Sequence, residues 1–477
     1  MPFHSISFVL FLLLTFALYW ISNKRLSLQN LVVVVASYTF YGWWDWRFLS
    51  LIFVSTVVDY LVGIGLAKSN KTAYRKRLLW LSIIVNLGLL GFFKYYHFFV
   101  DNFILAFASL GLQLTPTTLH IILPIGISFY TFQTLSYSID VYHKKIQPTS
   151  NFLAFAAFVS FFPQLVAGPI ERASHLLPQF LQQRQFQYHQ AVEGLKQFLW
   201  GLVKKVIVAD QCAEYADLIF AHPGRYSGST LVLGAVFFSF QIYGDFSGYS
   251  DMAIGTSRLF GFDLKRNFAF PYFSRSIPEF WRRWHISLST WFRDYVYIPL
   301  GGSRGSTWLT ARNILLVFLI SGFWHGASWK FVIWGGIHAL LFLAYFIFQQ
   351  HKNHQQIVAI DRAYPTLKEL IQMLVTFGLV TLAWIFFRAE NLSAALHYLS
   401  GIGTTSLFSI PEIRPSNLLA LLILFVIMEW TGRKSHYAIE HLAADSSRVT
   451  RWGFYMIICF SILLFHGKEQ PFIYFQF

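Results

Sequence analysis

Charged residues are scarce in this chain of 477 residues, in which Asp, Glu, Lys and Arg together make up 12%. Soluble domains carry about 25% charged residues, whereas 55% of this sequence is hydrophobic. Apolar runs recur from the first residues to the last, which excludes a soluble globular protein and a soluble domain with a single anchor. We therefore predict a polytopic integral membrane protein.

Cysteine and the common nucleotide-binding motifs are also missing or rare. Cys212 and Cys459 are the only cysteines, and they lie far apart, so neither a disulfide framework nor a cysteine-rich metal site can form. No P-loop and no glycine-rich dinucleotide fingerprint opens a predicted helix. GGSRG at 301–305 matches G-x-S-x-G, but the strand that a nucleophile elbow requires is absent around it. We predict no bound metal and no bound cofactor.

Basic residues outnumber acidic ones by 37 to 22, which gives a formal net charge of +15. They form short clusters between apolar runs, for example within 68–77 and at 144–145, and such clusters are typical of cytoplasmic loops rather than of nucleic-acid binding. An even number of predicted spans separates the loop at 24–25, the cluster at 68–77 and the pair at 144–145. All three are therefore predicted to be cytoplasmic, with the N-terminus outside.

Twelve apolar stretches divide the sequence. They are 5–22, 29–45, 47–67, 78–99, 119–142, 151–170, 194–221, 230–256, 313–348, 371–389, 416–430 and 452–466. A crossing needs ~20 helical residues, so several stretches are marginal and 313–348 is too long for one span. We predict an all-α fold of about 10–12 transmembrane helices plus re-entrant and interfacial helices around a central funnel or tunnel, in one membrane-embedded domain over residues 1–477.

The stretch 313–348 carries His325 near its middle, beside Ser321, Gly322 and Gly326. These small residues predict a helix break, with a half-span before it and a full span after it. A break at depth is tolerated only inside protein or beside a wet cavity, and an ionisable residue there indicates function. The alternative is a neutral core histidine bonded to a backbone carbonyl. His338 lies ~20 Å further along a continuous helix, and we interpret it as structural.

A second polar pattern lies at 280–297. On a period of 3.6 residues Arg282, His285, Ser289 and Arg293 share one helix face, beside a stripe rich in tryptophan. This pattern predicts a helix at the membrane interface or in a polar funnel. The alternative, a surface helix whose arginines contact lipid phosphates, explains the arginines better than it explains His285.

Acyl transfer to a hydroxyl fits these residue types. An alcohol needs a general base, and the reference pKa of histidine, ~6.5, suits that task near neutral pH. A second histidine or an arginine can polarise the acyl carbonyl or hold the donor. We expect His325 and His285 to be catalytic. The residues expected to bind substrate are Arg282, Ser289, Arg293, Asp294 and Trp324.

Long sequence blocks resemble the membrane-bound O-acyltransferase superfamily, and within it the branch that includes the bacterial alginate O-acetyltransferases. They are LPIGISFYTFQTLSYSIDVY at 123–142, FFPQLVAGPI at 161–170, YGDFSGYSDMAIG at 243–255, FWRRWHISLSTWFRDYVYIPLGG at 280–302, SGFWHGASWKFVIWG at 321–335 and the closing PFIYFQF. The catalytic histidine of the family lies in W-H-G, which is His325 here. The second histidine of the family pattern lies in R-W-H-x-S-L-S, which is His285. Ser303 departs from the usual residue after the glycine pair, which weakens the assignment of the acceptor but not the chemistry.

The resemblance implies a multi-pass enzyme of the bacterial inner membrane. Its acyl donor would reach the protein at the cytoplasmic face, as acetyl-CoA or another thioester. Its acceptor would be an extracytoplasmic polysaccharide, alginate or a similar exopolysaccharide, reached through a separate periplasmic acetyltransferase. O-acetylation of peptidoglycan or cellulose and D-alanyl transfer to teichoic acid are alternatives within the same chemistry. A glycan transporter or flippase and a scaffold of an export complex are alternatives outside it.

Overall fold

The structure is a computed structural model, and it describes residues 1–112, 114, 119, 121–348, 356–442, 446–465, 467 and 470–473. Within these ranges every regular element is a helix. The chain divides into two compact units, one formed by Met1–Gly194 with Thr256–Lys265 and the other by Leu195–Gly255 with Arg266–Phe477. The predicted all-α fold is confirmed, and the single domain over residues 1–477 stays a prediction.

In the described part of the first unit there are nine complete helices, and a tenth begins there. They are α1 (Ile6–Ile21), α2 (Leu26–Asp45), α3 (Leu49–Lys68), α4 (Thr72–Leu90), α5 (Tyr96–Ser109), α6 (Ile127–Tyr142), α7 (Phe152–Ser160), α8 (Phe162–Leu165), α9 (Ala173–Leu181) and α10 (Tyr188–Leu202). A 3₁₀ turn at Trp46–Phe48 joins α2 to α3, and a π-helical turn at Gly91–Tyr95 joins α4 to α5.

The remaining helices lie in the second unit, apart from the end of α12, which the first unit includes. They are α11 (Asp210–Ala221), α12 (Gly228–Leu259), α13 (Ile277–Arg283), α14 (Ile286–Phe292), α15 (Thr307–His325), α16 (Trp329–Phe348), α17 (Leu367–Arg388), α18 (Leu392–Ile402), α19 (Ser416–Thr431) and α20 (Arg448–Leu464). Side-chain caps explain several starting points. Ser276, Ser306 and Asn391 each accept a hydrogen bond from the first turn of α13, α15 and α18.

Among the residues that the structure describes, six helical stretches are long and apolar enough to cross a membrane. They are Leu26–Lys68, Thr72–Ser109, Gly228–Leu259, Thr307–His325, Trp329–Phe348 and Leu367–Arg388. Ile6–Ile21 and Ser416–Thr431 are shorter apolar helices. A multi-pass membrane protein is thereby confirmed, and the count of ten to twelve crossings stays a prediction.

Helices α15 and α16 form a tight hairpin because two glycines face each other across it. A Cβ added to Gly322 would overlap the carbonyl oxygen of Phe331, and one added to Gly335 would overlap the carbonyl oxygen of Phe318. Small residues at such crossings let helix backbones approach closely. Gly322 is therefore a packing residue inside α15, and its predicted role in the helix break is wrong.

The break itself lies at Gly326, directly after His325. Gly326 has an extended backbone with φ −166° and ψ 150°, and α16 begins three residues later. Helix α15 begins at Thr307 and has 19 residues, so the predicted half-span before the break is also wrong. The predicted apolar stretch starts at Asn313 and misses the first turns of α15, because the residues before Asn313 are partly polar.

Lys330 shows how a buried basic side chain serves the fold. Its side chain is buried, and its Nζ donates to the carbonyl oxygens of Ala389 at 2.7 Å and Phe387 at 3.4 Å. Carbonyls at the end of a helix have no partner within the helix. Lys330 in α16 therefore caps the C-terminal end of α17, as basic side chains commonly do.

The close approach of α15 and α16 can be tested with two neighbouring glycines. Gly335→Ala is expected to destabilise the protein by about 1–3 kcal/mol, because the new methyl group meets backbone that cannot give way. It should lower the midpoint of thermal unfolding in detergent. Gly336→Ala is the control, because its Cβ would meet only Leu319 Cδ2 at 3.7 Å, an ordinary contact. Equal midpoints for the two variants would contradict the interpretation.

Candidate active site

His325 ends α15 and lies in an aromatic surrounding. Only 4% of the residue is exposed. The centre of its ring lies 4.9 Å from that of Trp324, 5.2 Å from that of Trp334 and 5.5 Å from that of Phe387. Its predicted position at a helix break inside the protein is confirmed.

His285 occupies a turn between α13 and α14. The predicted single helix over 280–297 is wrong, because Trp284 is extended and His285 is left-handed with φ 45° and ψ 54°. A side chain with a Cβ rarely adopts this conformation unless its surroundings hold it. The turn rotates His285 out of the row that it would share with Arg282 and Ser289, and its ring is completely buried.

Asn267 holds the left-handed turn in place. Its carbonyl oxygen accepts a hydrogen bond from the amide of Ile286 at 2.9 Å. Its Oδ1 accepts from the amide of Ser287 at 3.2 Å and from the hydroxyl of Ser287 at 2.9 Å. Its Nδ2 donates to the hydroxyl of Ser250 at 3.2 Å. Asn267 is fully buried, and the sequence analysis missed it, although an amide within the largely aromatic segment NFAFPYF was an available signal.

The two histidines lie close together. Their ring centres are 6.4 Å apart, and Trp324 lies beside both, at 4.9 Å from His325 and 6.1 Å from His285. Phe246 contacts the other side of His285, with ring centres 4.6 Å apart. The tertiary structure thus brings together two imidazoles that are forty positions apart in the sequence.

Burial sets the charge of His285, which lies outside the six candidate membrane stretches. Removal from solvent disfavours the charged imidazolium and lowers the pKa of His285 to about 3. At neutral pH the ring is therefore uncharged. A neutral imidazole carries one N–H donor and one acceptor nitrogen.

His338 lies in the same aromatic region but in a different role. Its Nδ1 accepts a hydrogen bond from Trp281 Nε1 at 3.3 Å, and its ring lies 5.0 Å from that of Trp334. The ring is fully buried in α16. These are the contacts of a core histidine, as the sequence analysis predicted for it.

A cavity of about 590 Å³ is lined by neighbours of both catalytic candidates, although neither His285 nor His325 is among its lining residues. Its wall contains three of the predicted substrate-binding residues, Arg282, Ser289 and Arg293. It extends to Ser321, one helical turn before His325, and to Ile286, the residue after His285. The other lining residues are Pro278, Trp281, Leu288, Thr290, Phe292, Tyr297, Ser303, Thr310, Ile314, Val317, Phe318, Phe342 and Phe346.

The cavity combines two exposed guanidinium groups with a largely apolar wall. Arg282 and Arg293 are both exposed. Asp294 does not line the cavity, and its carboxylate accepts a hydrogen bond from Arg293 Nε at 2.8 Å. Trp324 is buried beside the histidines and also lies outside the lining.

The end of the described chain also reaches this region. The amide of Ile473 donates to Asp245 Oδ2 at 2.6 Å, and Lys205 Nζ lies 3.0 Å from Asp245 Oδ1. Phe472 packs against Tyr249 with ring centres 5.0 Å apart, and against Phe246 at 6.3 Å. The family resemblance of the closing block PFIYFQF does not by itself predict these contacts, and 474–477 lie outside the described residues.

Comparison with known proteins decides the family. The model of the membrane-bound O-acyltransferase family matches residues 38–387, well over half of the chain. The chain belongs to the membrane-bound O-acyltransferase family. As a member of this family it is an acyltransferase, and both histidines lie within the matched region.

Three relatives of this membrane-bound O-acyltransferase cover most of its length. A protein named probable alginate O-acetylase from Pseudomonas aeruginosa is 41% identical over 439 residues, which cover 90% of this chain and 80% of the relative. One with the same name from Pseudomonas putida is 38% identical over 98% of both chains. The peptidoglycan O-acetyltransferase of Helicobacter pylori is 40% identical over 80% of this chain and 74% of the relative.

The arrangement suits the chemistry of an acyltransferase. Acyl transfer needs a base for the attacking hydroxyl and a hydrogen-bond donor for the oxyanion that forms on the carbonyl. Two imidazoles with ring centres 6.4 Å apart can contact the two sides of one reacting centre. Aromatic rings surround both imidazoles, and such a low-dielectric surrounding strengthens both interactions.

The role of Asn267 can be tested by Asn267→Ala. The substitution leaves the buried amide and hydroxyl of Ser287 without their acceptor, a cost of about 1–3 kcal/mol, and only the backbone bond from Ile286 to Asn267 then still supports the left-handed turn at His285. We expect acyl transfer by purified, folded protein to fall by at least about tenfold, because small misplacements of catalytic groups are costly. Ser250→Ala removes only the bond to Asn267 Nδ2 and should retain most activity. Full activity in Asn267→Ala would show that the turn is maintained without this side chain.

Proposed function

We propose that this acyltransferase moves an acetyl group from a cytoplasmic donor across the membrane to hydroxyls of an extracytoplasmic polysaccharide, alginate or a similar exopolysaccharide. The observation that carries the proposal is the meeting of His285 and His325, each in its family motif, next to a cavity whose wall includes Ile286, the residue after His285, and Ser321, one helical turn before His325. The relatives named alginate O-acetylases, which match nearly the full chain, support the choice of acceptor.

His325 is assigned the role of general base. It takes the proton of the acceptor hydroxyl while the oxygen attacks the acyl carbonyl carbon. The N–H of neutral His285 donates to the carbonyl oxygen as negative charge develops there. When the tetrahedral intermediate collapses, the carbon–sulfur bond of a thioester donor breaks, and the proton on His325 passes to the leaving thiolate. The products are the acetyl ester and the free thiol.

The cavity of about 590 Å³ is assigned as the binding site of the acyl donor, which is acetyl-CoA or another thioester. Such donors carry phosphate groups at one end, and guanidinium groups recognise phosphate through paired hydrogen bonds. Arg282 and Arg293 supply two of them at exposed positions, while the apolar wall leads inward. Arg304 and Arg312 flank the start of α15 as well, and an excess of arginine favours the cytoplasmic side. This charge distribution supports a cytoplasmic mouth.

Binding of the acceptor polymer is assigned to a partner protein, a separate periplasmic acetyltransferase. In the described part of the second unit, the connections between helices are short segments rather than folded domains that could grip a long chain. A second protein that receives the acetyl group and holds the polymer meets this need. The proposed location is the inner membrane of a bacterium.

Peptidoglycan is the second candidate acceptor, because the relative from Helicobacter pylori is named a peptidoglycan O-acetyltransferase. Cellulose acetylation and D-alanyl transfer to teichoic acid share the same chemistry. Mass spectrometry of the envelope glycans, with and without this chain, distinguishes these acceptors by the sugar that loses its ester.

Replacement of the proposed base tests the mechanism. His325→Ala is expected to reduce ester formation by about 10²–10⁴-fold, the usual contribution of general base catalysis, while polymer export continues. The measurements are acetyl ester per sugar and the amount of exported polymer. His189→Ala is the control, because His189 is exposed at the start of α10. Loss of export would indicate a transporter, and an unchanged ester content would indicate a scaffold.

Replacement of the two exposed arginines tests the donor site. Arg282→Gln and Arg293→Gln are each expected to raise the KM for the donor by about 10-fold or more, since a hydrogen bond to a charged group contributes about 1.5–3 kcal/mol, with a smaller change in kcat. Initial rates at varied donor concentration give both constants. Arg304→Gln, an exposed arginine outside the cavity lining, is the matched control. An unchanged KM for the donor in both variants would show that the donor does not bind in this cavity.

A further inference from the structure

A polar cavity of about 330 Å³ lies in the first unit and has no part in the proposed mechanism. Its wall comes from the loop between α3 and α4, the start of α4, and the end of α6 with the two residues after it. The lining residues are Asn70, Thr72, Arg75, Tyr142, His143 and Lys144. The basic clusters within 68–77 and at 144–145, which lie far apart in the sequence, therefore meet at one site, which we call the basic cavity.

Arg75 joins the three helices around the basic cavity, and only 8% of the residue is exposed. Its Nη2 donates to the carbonyl oxygens of Tyr142 at 2.6 Å and Val141 at 3.3 Å, at the end of α6. Its Nη1 donates to the carbonyl oxygens of Leu66 and Ser69, at the end of α3. Carbonyls at helix ends have no partner within the helix. Because all four acceptors are uncharged and a guanidinium keeps its proton, a full positive charge remains at the wall of the cavity.

The start of α4 adds further attraction for an anion. Within the described residues, the side chain of its N-cap residue, Lys71, makes no capping hydrogen bond, and the first turn contains no acidic residue. The first amides of a helix have no partner within it, and the helix dipole adds partial positive charge at that end. The hydroxyl of Thr72 and the amide of Asn70 supply more hydrogen-bond donors at the cavity wall. Such a combination suits the oxygen atoms of a phosphate group.

The charges around the basic cavity have one sign. Lys144 adds an exposed ammonium group to the guanidinium of Arg75. Among the described residues, those that line the cavity include no carboxylate. Asp140, the acidic residue that precedes the end of α6, lies 3.5 Å from Lys145 Nζ and is not part of the lining. An anion that enters the cavity therefore meets basic groups and hydrogen-bond donors.

The position of the basic cavity indicates where the anion comes from. The apolar stretch Leu26–Lys68 ends and the apolar stretch Thr72–Ser109 begins at this loop, which places the loop at a membrane surface. Basic pockets between membrane helices at such a surface are typical binding sites for anionic lipid headgroups. A volume of about 330 Å³ is at the lower end for ligand sites, so it suits a headgroup whose acyl chains stay in the bilayer. We propose that the basic cavity binds the phosphate-containing headgroup of an anionic phospholipid.

Thermal unfolding of the full chain in detergent, with short-chain phospholipids added, tests this site. Dihexanoyl-phosphatidylglycerol at about a hundredfold excess over its Kd should raise the Tm by about 2–4 °C, because a ligand that binds only the folded state stabilises it. Dihexanoyl-phosphatidylcholine, in which the choline group balances the phosphate charge, and inorganic phosphate should have much smaller effects at the same concentration and ionic strength. An equal response to phosphatidylcholine would assign the effect to the acyl chains and overturn the proposal. An equal response to inorganic phosphate would assign the cavity to a soluble anion and overturn it as well.

Two exposed lysines separate the basic cavity from a general effect of charge. Lys144→Gln should raise the concentration of phosphatidylglycerol that gives half of the Tm shift by about fivefold or more, because it removes a positive charge from the cavity wall. Lys76→Gln is the matched control, since Lys76 is an exposed neighbour of Arg75 that does not line the cavity, and its titration should match that of the wild type. Because both side chains are exposed, both variants should fold. Equal titrations for the two variants would overturn the assignment to this cavity.

Discussion

Polar groups buried inside the protein must find their partners there, because neither a packed core nor lipid offers any, and this constraint organises each unit of the structure. In the first unit it appears at Asp59 of α3, whose buried carboxyl group accepts hydrogen bonds from side chains of α4 and α6. In the second unit it appears as Lys330, whose ammonium group caps the end of α17, and as Asn267, which satisfies the backbone at the turn of His285. Transfer of each of these polar groups from water to the protein interior costs free energy, and specific hydrogen bonds offset that cost.

The candidate active site depends on two interruptions of helical structure that the same constraint permits. Gly326 ends α15 directly after His325, and the left-handed turn at His285 separates α13 from α14. The glycine contacts between α15 and α16 fix the first interruption, and the hydrogen bonds of Asn267 fix the second.

The composition and the motifs predicted more of the chemistry than of the geometry. The small residues around His325 predict a helix break there, and His285 is the polar residue that a surface helix does not explain. The assignment of Gly322 failed because a glycine inside a helix reads the same in sequence whether it breaks the helix or lets another backbone approach. The helical face assigned to Arg282, His285, Ser289 and Arg293 failed at His285 because periodicity assumes a continuous helix. Arg282, Ser289 and Arg293 nevertheless line one cavity, whereas Asp294 pairs with Arg293 and Trp324 packs against the histidines.

The sequence by itself determined that this chain is helical and membrane-embedded, because low charge and recurrent apolar runs leave no soluble alternative. It also determined the reaction class, through local motifs that surround each histidine. Only the tertiary structure decided that the two imidazoles meet, that Asn267 holds one of them and that Asp59 lies among hydroxyls. These are contacts between residues far apart in the chain. The periodicity of one helix predicts which of its faces is apolar, but it does not predict which other helix packs against that face.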